Sequence, residues 1–108
     1  MSRYTIRIEL HNIQENQSAY SDLHKEMQKN GFSKTIQSKS QTYILPNGEY
    51  NYLSTNESID EILSKVKNIT KITKLKSSIL ITESSKRVWT NLEKEEDYLD
   101  FTSETEDF

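Results

Sequence analysis

From Tyr4 to His11 the chain alternates without a break: Tyr4, Ile6, Ile8 and Leu10 are apolar or aromatic, and Thr5, Arg7, Glu9 and His11 between them are polar. Successive side chains of a strand point to opposite faces, so this pattern predicts a strand with one face for a core and one for solvent. It asks for an antiparallel sheet with a layer over one face.

The next segments supply that layer. Tyr20, Leu23 and Met27 recur at helical spacing, with Ser18 as candidate N-cap and Gly31 as the stop. Ile59, Ile62, Leu63, Val66 and Ile69 form a second apolar stripe, and Ser58 with Glu61 three residues on predicts a capping box. Between the helices, Phe32–Gln37 and Thr42–Leu45 are β-prone. Pro46-Asn47-Gly48 predicts a turn, and Glu49–Ser54 a returning strand. Ile79–Thr82 predicts a further strand, followed by a polar turn at Glu83–Lys86 and a brief strand over Arg87–Leu92. The resulting order, βαββαβ plus a short extra C-terminal strand, is the ferredoxin-like split βαβ arrangement. It is an α+β fold in which two helices lie on one face of an antiparallel sheet.

With 108 residues, 32% of them hydrophobic and a single alanine, the chain fits one domain with a small core. The charge is uneven. Residues 1–92 hold 13 Lys and Arg against 9 Asp and Glu, whereas 93–108 hold 1 against 8, so the net charge of -3 combines a domain of +4 with a tail of -7. The expected organisation is therefore a folded unit over 1–92 and an acidic tail over 93–108. The eight carboxylates either mimic a phosphate backbone, on the domain's own basic face or in a partner's nucleic-acid groove, or form a solubilising extension; Tyr98, Leu99, Phe101 and Phe108 among them suit a segment that orders on a partner.

The absence of cysteine excludes disulfides and thiolate metal sites. The longest clean apolar run is Ile79-Leu80-Ile81, and charged, strand-like sequence opens the chain. A cytoplasmic protein with no membrane association is the expectation.

Several stretches resemble the GhoS family of small antitoxin endoribonucleases, whose ferredoxin-like fold is similar to that of the small CRISPR-associated nucleases. They are Tyr4-Thr5-Ile6-Arg7-Ile8-Glu9-Leu10, Asn30-Gly31-Phe32-Ser33, Tyr43-Ile44-Leu45-Pro46 leading into Glu49-Tyr50-Asn51-Tyr52, and then Ile59–Lys67 and Ile79–Glu83. The resemblance implies a homodimer that binds or cuts single-stranded RNA, in an antitoxin or phage-derived setting. It transfers no catalytic motif. The competing function is a non-enzymatic, phage or mobile-element-encoded interaction module or inhibitor that engages a host protein or nucleic-acid complex through the acidic aromatic tail or the sheet surface.

Residue chemistry supplies the candidates. Arg7, Glu9 and His11 share the polar face of the first strand. Metal-free RNA cleavage needs a proton acceptor for the 2'-hydroxyl, a donor for the leaving oxygen and a cation for the phosphate. Glu9 and His11 are the catalytic candidates, and Arg7 the phosphate contact; the competing reading makes all three ordinary solvent-facing residues. Tyr50 and Tyr52 share one face of their strand. Beside Arg7 and Lys34 they either form a platform for unpaired bases or pack as core or in a dimer interface. Lys86 and Arg87, at the expected hairpin tip before Trp89, are further candidates for phosphate contact. Glu9 with His11 offers two ligands at strand spacing, a weak metal signal that needs a second subunit's copy to complete it, and His24 has Gln28 rather than a ligand at i+4. With only Gly31 and Gly48 there is no glycine-rich phosphate loop, so no metal or cofactor is expected.

Overall fold

A computed structural model describes residues 1–95, and the remainder of the expected acidic tail lies outside the described residues. The order of elements is β1 (Ser2–Leu10), α1 (Ala19–Lys29), β2 (Thr35–Gln37), β3 (Thr42–Ile44), β4 (Glu49–Ser54), α2 (Ile59–Thr70), β5 (Ser77–Ser84) and β6 (Glu93–Lys94), with 3-10 turns at Ile13–Glu15 and Lys71–Thr73. This is the expected α+β class. No helix among the described residues is long and apolar enough to cross a membrane.

β1 is the central strand, antiparallel to β4 on one side and β5 on the other. Its alternation is realised as predicted. Tyr4, Ile6, Ile8 and Leu10 are buried against Leu23 and Met27 of α1 and Ile62, Val66 and Ile69 of α2 in one core. Both helices therefore cover the same face, and among the described residues the opposite face carries no helix. Helix α2 starts on the expected capping box: the Ser58 hydroxyl accepts from the Glu61 amide at 3.1 Å, and the Glu61 carboxylate accepts from the Ser58 amide at 2.8 Å. Ser18 takes the N-cap position of α1 but bonds no helix amide; its hydroxyl lies 3.0 Å from both Asn16 Oδ1 and Asp22 Oδ2.

One continuous antiparallel sheet is not what forms. After α1 the chain bridges the free edge of β4 at a single point, Ser33 opposite Asn51, with amide-to-carbonyl bonds of 2.8 and 2.7 Å. The spatial order β5, β1, β4, then the Ser33 segment, is that of a split βαβ. The ladder stops there because the Ser33 hydroxyl accepts the Thr35 amide at 3.0 Å, a local bond that competes with sheet pairing. Residues 35–37 then turn to β3 and build a second sheet in the order β2, β3, β6.

The C-terminal part also departs from expectation. No strand forms over 87–92. The chain runs irregularly from the end of β5 to β6, where Glu93 and Lys94 pair with Ile44 and Tyr43. The first residues of the expected tail thus belong to the second sheet.

Candidate nucleic-acid interface

Because Tyr50 and Tyr52 point into the core, the same parity puts Glu49, Asn51 and Leu53 on the helix-free face. There they lie beside Arg7, Thr5 and Arg3 of β1, which in turn oppose Leu80, Thr82 and Ser84 of β5. Onto this face comes Arg87 from the irregular segment, its guanidinium donating to Thr5 Oγ1 at 3.1 Å. Arg3 donates to the Ser85 carbonyl at 3.0 Å.

Arg3, Ile36, Gln37, Ser38, Lys39, Arg87 and Trp89 line a concavity of about 500 Å³ where the helix-free face meets the second sheet. Burial and the neighbouring Arg3 charge both disfavour the charged form of Arg87. Among the described residues no carboxylate pairs with Arg3, Lys39 or Arg87; the ion pairs present are Arg7–Glu49, Lys29–Glu26 and Lys65–Glu57. Trp89 meets Tyr43 edge-on, with ring centroids 5.6 Å apart. Asn51, opposite Thr5, leaves its amide oxygen buried and without a hydrogen-bond partner among the described residues.

The residues singled out from sequence separate into groups. Arg7 lies on the helix-free face, 70% exposed and 3.3 Å from the Glu49 carboxylate. Glu9 is exposed on the same face, and His11 Nε2 sits 2.8 Å from the Ser78 hydroxyl. His11 and Arg3 mark opposite ends of β1, roughly 27 Å apart along an extended strand. The catalytic candidates and the basic concavity are thus at different ends of one face. Lys86 is exposed, next to the concavity but not lining it.

Three candidates are elsewhere. Tyr50 is 1% exposed, and burial raises its phenol to about 12. Tyr52 stacks on Phe32 at 4.1 Å, and its hydroxyl donates to Glu57 at 2.6 Å while accepting from Lys65 at 2.8 Å. The tyrosines are core, the second of the two readings, because a chain with one alanine and few large apolar residues needs its aromatic area for burial. The Lys34 ammonium is turned inward. It donates to the carbonyls of Leu45, at 2.9 Å, and Pro46, lies 5.5 Å from the Tyr50 ring, and has its basicity lowered by burial. It braces the turn before β4 and does not reach the helix-free face.

What sequence reasoning passed over are Arg3, Lys39 and the Trp89–Tyr43 pair. Arg3 shares the parity of Arg7 and was accessible to the same argument. Lys39 had no such signal, since its place depends on where the β2–β3 loop swings. Compared with models of known protein families, with curated proteins and with solved structures, the chain matches none.

Proposed function

We propose that this protein binds single-stranded RNA across the helix-free face, with phosphates drawn into the concavity of Arg3, Lys39 and Arg87. The observation that carries the reading is the gathering of those three cations, without carboxylate partners among the described residues, beside an aromatic pair. Like charges held together repel, and a polyanion relieves that repulsion while releasing its counterions. Trp89 and Tyr43 offer a ring surface on which an unpaired base stacks, a role a duplex with its bases already stacked does not use.

The resemblance to antitoxin endoribonucleases adds a cleavage step. On this reading His11 and Glu9 carry the protons at the far end of β1, with Arg7 at the phosphate, and no metal takes part. The Ser78 hydroxyl fixes the imidazole orientation.

Trp89 is the only tryptophan, so its emission reports directly on the concavity. Titrating the protein with a short single-stranded RNA should quench that emission, with an affinity that falls as salt rises. R87A should bind more weakly and lower the salt slope by about 1. A denaturing gel of the same mixtures in chelator should show product that H11A does not form. Binding indifferent to both salt and R87A would sink the RNA reading, and uncut RNA would remove the cleavage step alone.

A further inference from the structure

β5 is the outermost strand of its sheet, and nothing among the described residues pairs with its outer edge. The direction of its backbone groups follows from one bond, the His11 amide donating to the Lys76 carbonyl at 2.9 Å. That pair exchanges hydrogen bonds across the ladder, so Ser78, Leu80, Thr82 and Ser84 also turn their amides and carbonyls toward β1. Ser77, Ile79, Ile81 and Glu83 turn theirs outward.

Exposed edges of this length are ordinarily guarded by lysine, proline, a bulge or an inward-pointing charge. β5 runs Ser-Ser-Ile-Leu-Ile-Thr-Glu-Ser with an unbroken register and one charge, Glu83. Leu80 at its middle is 63% exposed on the helix-free face, while Ile79 and Ile81 are half-buried toward the helices. An unguarded edge with an apolar centre calls for a covering strand.

The strand is close to symmetric about Leu80: Ile79 mirrors Ile81, Ser78 mirrors Thr82, and Ser77 mirrors Glu83. We propose that β5 pairs antiparallel with β5 of a second copy of this chain, about a two-fold axis at Leu80. In that register the outward backbone groups of Ile79 meet those of the other copy's Ile81, and Ser77 meets Glu83. Each outward amide and carbonyl gains a partner and no like charges face each other. Leu80 lies opposite its own copy in a non-hydrogen-bonded pair, the closer of the two spacings, at about 4.5 Å between Cα atoms. Registers centred elsewhere on the strand satisfy the same parity with less overlap. The two three-stranded sheets become one of six strands, joining their helix-free faces, as the closed two-fold pairing of identical patches requires.

Light scattering on the full chain from micromolar to submillimolar concentration should give twice the 12.7 kDa chain mass, and L80K, which sets two ammonium groups face to face at the axis, should give the single mass with an unchanged circular dichroism spectrum. The chain has no cysteine, so L80C carries a single thiol whose Cα separation falls within disulfide reach. Under mild oxidation L80C should become a covalent dimer on a non-reducing gel, and L53C, exposed on the same face but on β4, should not. The single mass throughout for the unmodified chain, a dimer that L80K leaves intact, or cross-linking of L53C in place of L80C would each overturn the proposal.

Discussion

Gly48 is where a single atom decides the fit of two elements. Its φ of 81° lies in the left-handed region, which costs a residue with a Cβ roughly 1 kcal/mol or more. Its carbonyl accepts the Ile8 amide at 2.7 Å, and a Cβ on Gly48 would run into the Ile8 carbonyl oxygen, a backbone atom in the central strand that has no freedom to retreat. Conformation and space therefore oppose a side chain together. G48A should lower the chemical-denaturation midpoint by the equivalent of more than about 1 kcal/mol. A variant as stable as the parent would show that the turn relaxes freely and that β1 is not held there. Pro46-Asn47-Gly48 was legible as a turn from composition. That it also extends the β1–β4 ladder was not, because the close approach belongs to Ile8, forty residues away in sequence.

At the scale of elements, β4 and α2 are tied by one polar cluster. Glu57 lies between them and accepts from Tyr52 at 2.6 Å and from Ser54 at 2.9 Å, while Lys65 of α2 stands 2.7 Å from its other oxygen and 5.1 Å from the Tyr52 ring. The Lys65 and Tyr52 hydrogen bonds hold the Glu57 carboxyl down at about 2 against an ordinary 4.5. A carboxyl whose pKa is depressed on folding contributes stability in full above 4.5 and loses it as pH falls toward 2. E57Q should therefore be less stable than the parent at neutral pH, with the gap closing between pH 4.5 and 2, as read from thermal midpoints across that range. A gap constant with pH would mean that the charge on Glu57 is not what joins the elements. His24 adds to the same acid sensitivity nearer neutrality, because burial and then Lys34 lower its pKa, so stability present above 6.5 declines below it. The stripe of α2 and its capping box were readable because both are local patterns. Period-two spacing likewise paired Tyr50 with Tyr52, yet it names two faces without saying which one meets the helices, and that is where the stacking platform and the core parted. The escape of β2 into a second sheet turns on one hydroxyl, Ser33, choosing the Thr35 amide over the ladder. The meeting of Lys39 with Arg3, Arg87 and Trp89 depends on three segments far apart in sequence, and no spacing rule connects them.

The chain is electrostatically divided as its composition shows, and β6 lies on the acidic side of that division. Glu93 and Lys94 are strand residues on β3, so cutting the chain at 92 removes part of the second sheet along with the acidic segment. Residues 96–108 contain six carboxylates and no cation, and the 95 residues before them hold 14 Lys and Arg against 11 Asp and Glu. Ending the chain after Glu95 thus changes the net charge from -3 to +3 while keeping β6 intact. A polyanion approaching the concavity feels the summed field of the chain as well as its local contacts, and the six negative charges oppose it over a distance set by the ionic strength. The shortened chain should bind single-stranded RNA more tightly at low salt, and the difference should shrink as salt screens the distant charges, with R87A weakening both forms alike. Trp89 quenching measured for the two chains over a salt series checks this. Equal affinities at low salt would mean that the acidic segment exerts no field at the concavity, and a difference that persists undiminished at high salt would point instead to a direct contact made by the removed residues.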